Sequence, residues 1–171
     1  MMETKEEFLK EQDLFVLKPM GYNEIPEVAE IVAGNEVFQR YHYDHPKIVH
    51  MLEKALKSDD VIMTVLEGEL VRGFVWLQEN AVFGLSAYIK LIAVDSKHHS
   101  RGIGQLLMTA AEAVAQKQGP NLFVLTSMNN LTAQKFYLRL GYETIGVIRN
   151  YVLPGIDELM MRKTWGCIRK E

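Results

Sequence analysis

The stretch Leu91 to Ala110, LIAVDSKHHSRGIGQLLMTA, decides how this chain is read. An apolar run passes through a short polar and basic loop into a helical repeat, with Gly102 and Gly104 at the turn. Unpaired N–H groups and the positive dipole end meet at a helix N-terminus, so this order suits an anion such as a phosphate. Glycine lets such a group come close to the main chain. A glycine pair between strand and helix also makes ordinary turns, and the pattern alone leaves both readings open.

Towards the C-terminus, Ile103, Leu106, Leu107, Ala110, Ala111 and Val114 share one helical face, which Gly119 and Pro120 end. Leu122 to Thr126 has strand composition. Asn129 and Asn130 then introduce a helix with Ala133, Phe136, Tyr137 and Leu140 on one side, closed by Gly141. Thr144 to Ile148 and Leu159 to Thr164 read as two last strands around a loop holding Pro154 and Gly155. Towards the N-terminus, Leu14 to Lys18 reads as a strand. Ile25, Val28, Ala29, Val32 and Ala33 mark a first helix, and Ile48 to Leu56 a second, entered after Pro46. Val61 to Leu66 and Val71 to Leu77 form a hairpin, and Ala87 to Val94 is a further strand. Three strands in succession exclude a purely parallel dinucleotide-binding sheet, and Leu107 stands where its third glycine would be. The sheet must be mixed.

A length of 171 residues fits one domain. It is predicted over residues 13–165, with tails at 1–12 and 166–171. A net charge of −3 offers no basic face, so no nucleic-acid partner is expected. The first residues are charged, and no apolar run reaches the roughly 18–20 residues of a membrane span. A soluble, cytoplasmic protein with no membrane partner is the expectation. The sole cysteine, Cys167, is near the end, which excludes an internal disulfide and makes a catalytic thiol unattractive. The segment Asn35 to Pro46 gathers Phe38, Tyr41 and Tyr43 with His42 and His45. Such aromatics can line a ligand pocket or simply cap the core. Pro46 breaks any helix face shared by His42, His45 and His50, so no metal site is expected.

Two segments resemble the GNAT superfamily of N-acetyltransferases. The LIAV strand followed by HSRGIG and LL resembles its acetyl-CoA-binding motif: Gln or Arg, two residues, Gly, one residue, then Gly or Ala. The later NLTAQKFYLRLGY resembles its second signature through Asn130, Ala133, Tyr137, Gly141 and Tyr142. The two stand in the family's order and separation. His99 departs from the pattern, occupying the place of Gln or Arg. The resemblance covers about residues 13–165. It implies an α/β domain with a mixed, mostly antiparallel sheet of about seven strands, flanked by about four helices and splayed between the fourth and fifth strands.

It also implies acetyl-CoA as co-substrate, without a metal, and direct transfer to an amine, either small or on a protein or peptide. The arm of the cofactor would lie along Ile92, Ala93 and Val94. Its pyrophosphate would sit on the amides of His99, Ser100, Arg101, Gly102, Ile103, Gly104 and Gln105, with Asn130 nearby. Arg101 and Lys97 are candidate sources of charge. Tyr137 matches the family's general acid, which would protonate the departing thiolate. Glu79, just beyond a strand, is the first candidate for a base; Glu36 and His42 could also act through water. Phe38, Tyr41 and Tyr43 are candidates for the acceptor pocket. A catalytically silent acyl-CoA-binding or regulatory module is the alternative.

Overall fold

Alternating apolar residues draw seven strands into one sheet: β1 (Phe15–Pro19), β2 (Val61–Glu67), β3 (Leu70–Val82), β4 (Ser86–Val94), β5 (Asn121–Ser127), β6 (Glu143–Leu153) and β7 (Ile156–Thr164). In the computed structural model, which describes residues 14–169, their order is β1-β2-β3-β4-β5-β7-β6. Every neighbouring pair is antiparallel except β4 and β5. The mixed sheet that the hairpin run demanded is therefore present. The expected tail at 1–12 lies outside the described residues.

Helix α1 (Ile25–Ala33) and α3 (His45–Ala55) cover one face. They pack Val28, Val32, Ile48 and Leu52 on Phe74, Trp76, Leu91 and Ala93 of the sheet. Helix α4 (Ile103–Gln118) and α5 (Leu131–Arg139) lie on the other, over Val75, Leu77, Ile89, Val124 and Met161. The fully buried Ile103, Leu107 and Met108 each contribute roughly 1.5–3 kcal/mol to this packing. That burial fixes the start of α4 against the sheet.

A fifth helix, α2 (Glu36–Arg40), occupies part of the aromatic segment. Asn35 starts it by accepting a 2.9 Å bond from the Val37 N–H. Asp44 caps α3 in the same way through Lys47, so α3 begins at His45 rather than after Pro46. Pro46 fits the first turn, where its missing N–H is no loss. Among the described residues, no helix is long and apolar enough to cross a membrane.

Candidate active site

The site begins with a miscount in β4. On one side of Lys90 the register with β3 pairs Trp76 with Leu91; on the other it pairs Leu77 with Ile89. Lys90 is thus an extra residue, a bulge that bends the strand. The parallel pairing of β4 with β5 runs only from Ala87 and Leu122 to Ile89 and Val124. Beyond the bulge the two strands part. The edge of β4 at Ile92 to Val94 faces the gap, which is the splay expected between the fourth and fifth strands.

Past this edge, the loop into α4 turns on two left-handed residues, Ser100 (φ 65°) and Gly102 (φ 80°), the latter being the helix N-cap. Gly104 lies in the first turn of α4. A Cβ there would stand 3.3 Å from the Phe136 ring of α5, a tight contact that would require the ring to shift by a few tenths of an ångström. Two basic side chains of the loop, Arg101 and His98, turn to the sheet edge. Arg101 pairs with Glu67 at 2.9 Å and lies over the Phe15 ring, and His98 bonds Asp95 at 2.9 Å. Arg72 joins Glu67 and Asp95. The Arg101 guanidinium, followed by that of Arg72, holds the Glu67 carboxyl below its ordinary pKa. His99 folds its ring back to within 3.2 Å of the Val94 carbonyl oxygen. Arg101, His98 and His99 are thus engaged within the protein, while Lys97 is exposed.

The gap opens into a cleft of about 610 Å³ that reaches from Ile92 and Tyr137 to Glu158 and the aromatic segment. Tyr137 enters from α5, 4% exposed, with its ring 5.4 Å from Phe136 and 5.6 Å from Tyr142. Burial, with Tyr88 adding to it, pushes its hydroxyl above the ordinary tyrosine pKa. It therefore holds its proton at neutral pH. Asn130 also lines the cleft, and its side-chain oxygen caps α5 by accepting from the Ala133 N–H at 3.1 Å. The capping role read from its position is real.

On β7, Leu159 and Met161 enter the core beneath α4, so the twofold alternation of a strand sends Glu158 and Met160 to the opposite, cleft side. Glu158 is 3% exposed and accepts a 2.6 Å hydrogen bond from the Tyr41 hydroxyl. Burial raises its pKa, and the Tyr41 bond draws part of that rise back. Tyr41 is pushed up to about 12, by burial first and then by this bond. The register of β6 and β7 slips by several residues between Ile148 and Leu153. Tyr151 and Val152, within that irregular arch, join the cleft wall.

Phe38, Tyr41 and Tyr43 all line the cleft, while Phe38 and Tyr43 also pack on the core beneath α1 and α3. Lining the cleft and packing on the core are thus compatible for Phe38 and Tyr43. Of the three sequence candidates for a base, Glu79 is half-buried on β3, and Glu36 and His42 are exposed; none is among the residues lining the cleft. Glu158, Tyr88 and Tyr151 were missed. For Glu158 a faint signal existed: in IDELMM the twofold alternation puts it on the strand face of Ile156 and Met160.

The family model for the acetyltransferase (GNAT) domain matches residues 16–165. The N-acetylaspartate synthetase of Xenopus tropicalis is 26% identical over 145 residues, covering 76% of this chain and 53% of its own length. This chain spans about half, or less, of the length of the curated relatives it matches. Among solved structures, an aminoglycoside 6'-N-acetyltransferase complexed with coenzyme A has a TM-score of 0.74 at 15% identity, covering 91% of this chain and 99% of that one. The ribosomal-protein-alanine N-acetyltransferase from Brucella melitensis has a TM-score of 0.73 at 16% identity, covering 87% and 99%. The parted strands, the glycine turn and the matched domain agree: this chain belongs to the GNAT acetyltransferase family.

Proposed function

We propose that this protein is an acetyl-CoA-dependent N-acetyltransferase that moves an acetyl group directly to an amine. The observation that carries the reading is the meeting, in one cleft, of the gap between β4 and β5 with the hydroxyl-bearing Tyr137. Acetyl-CoA supplies the acyl group and leaves as the thiol. The backbone of Ile92, Ala93 and Val94 accepts the amide-bearing arm as an added strand. The amides from His99 to Gln105 hold the pyrophosphate at the start of α4, with Asn130 beside the arm. The His99 ring releases the Val94 carbonyl when the arm takes its place.

An attacking amine must be neutral, whereas an alkyl ammonium has a pKa near about 10, so a proton has to leave it first. Tyr137 gives a proton to the departing sulfur. Phe38, Tyr41 and Tyr43 shape the acceptor end. Glu79 stands next to the cleft-lining Gln78 but outside the lining itself, so any part it takes in deprotonating the amine runs through water. The acceptor is a small amine or a peptide N-terminus; family relatives named for both kinds support keeping both.

The test is free-thiol release from acetyl-CoA by the purified chain across small amines and peptides of varied N-terminus. Release that depends on an added amine is expected. Tight CoA binding without such release from any acceptor would overturn the reading in favour of a silent acyl-CoA-binding module.

A further inference from the structure

Glu158 is a buried carboxylate whose bonded neighbour is a neutral phenol, Tyr41, rather than a cation. Burying an anion in that way is costly, and the cost is met when a cation arrives to pair with it. Glu158 is the one carboxylate among the described residues lining the cleft, and the walls around it are tyrosine-rich. Tyrosine faces attract an ammonium group as the carboxylate does. Resting on the acetyltransferase reading above, we infer that Glu158, held in place by the Tyr41 hydroxyl, receives the ammonium of the acceptor and takes its proton before transfer.

The groups facing this carboxylate come from each neighbouring element: Tyr41 from the connection after α2, Tyr88 from β4, Ser127 beside it on β5, and Tyr151 from the β6 arch. Lys90 is the one cation among the described residues of the same lining, and Arg40 lies near Tyr41. The proton balance is as follows. One proton passes from the acceptor nitrogen to a Glu158 oxygen, and the freed lone pair forms the C–N bond. The C–S bond breaks, its electron pair goes to sulfur, and sulfur takes a proton from Tyr137. A second proton leaves nitrogen and restores Tyr137 through water, and Glu158 returns its own to solvent. An ammonium acceptor is thereby favoured over one whose amine stands beside carboxylates, which Glu158 would repel.

The experiment compares the full chain with Glu158→Gln, Glu79→Gln and Tyr41→Phe, using acetyl-CoA, a short peptide with a free N-terminus and amidated C-terminus, and L-aspartate. CoA affinity, read by calorimetry, reports whether each variant is folded. Glu158→Gln is expected to lower kcat/KM for the peptide by about 100-fold or more, within the range for losing a positioned base. CoA affinity should hold, and the acid limb of the kcat/KM profile should vanish. Glu79→Gln should keep that limb, and the peptide should exceed aspartate as acceptor. Should Glu158→Gln fail to fold, Tyr41→Phe decides: removing the bond that favours the charged carboxylate should move the acid limb to higher pH. Wild-type rate and limb in Glu158→Gln, an unmoved limb in Tyr41→Phe, or a preference for aspartate would overturn the inference. Wild-type inactivity with every acceptor would instead overturn the acetyltransferase reading. Peptide binding to the CoA-loaded protein then tests Glu158 separately: binding weakened by Glu158→Gln supports its ammonium contact, and equal or no binding removes it.

Discussion

A phenol that protonates a leaving thiolate must still carry its proton at neutral pH; any tyrosine meets that condition, and burial moves Tyr137 further from ionisation. Replacing it by phenylalanine keeps the ring packed between Phe136 and Tyr142 and deletes only the hydroxyl. Tyr137→Phe should therefore lower kcat by about 100-fold while leaving the acetyl-CoA dissociation constant within about twofold. Steady-state kinetics beside calorimetry read the two separately, and an unchanged kcat would remove Tyr137 as the acid. At this scale the sequence was uneven as a guide. Tyr137 was legible because it sits in a spaced signature with Asn130 and Gly141. Glu158 was only faintly so, because the group that bonds its carboxylate, Tyr41, is 117 residues away, and no local pattern encodes that meeting.

The loop and first turn of α4 act together as one element. Gly104 leaves the space beside Phe136 of α5 that a Cβ would crowd, while its backbone belongs to the proposed pyrophosphate cradle. Gly104→Glu adds bulk toward that ring and a negative charge where a phosphate would lie. CoA affinity should fall by about 100-fold or more in a variant whose circular dichroism matches the wild type; normal affinity would place the phosphate elsewhere. The helix and its glycine turn were readable from periodicity and composition. The short α2 was less so, since five residues give too few turns for a periodic face, and Asn35 alone marks its start. The β4 bulge escaped reading because AYIKLIAV is strand-like throughout, and only the register shows that Lys90 lacks a partner.

Across the molecule, the β2–β3 hairpin is tied to the α4 loop by Glu67, Asp95, Arg72, Arg101 and His98. The pKa of Glu67 is lowered in the fold, so its pairing stabilises above the ordinary glutamate value of 4.5. That contribution fades as pH falls through the lower folded value. Glu67→Gln should accordingly lower Tm by about 1–3 °C at pH 7 and by progressively less below pH 4.5. Thermal melts over that range check it, and a difference that persists undiminished in acid would rule out the ionic origin. The order of strands and helices was largely legible, since each carries its own apolar period. The contacts between distant ends of the chain were not. Lys90 gives the widest consequence of the fold. Up to Ile89 the odd-numbered residues of β4 face α4, whereas from Leu91 onward they face α1 and α3. The chain changes parity there, so this strand tolerates no single-residue gain or loss without exchanging the face under α4 for the face under α1 and α3. Surface loops in general accept changes of length; in this strand, counting itself is under constraint.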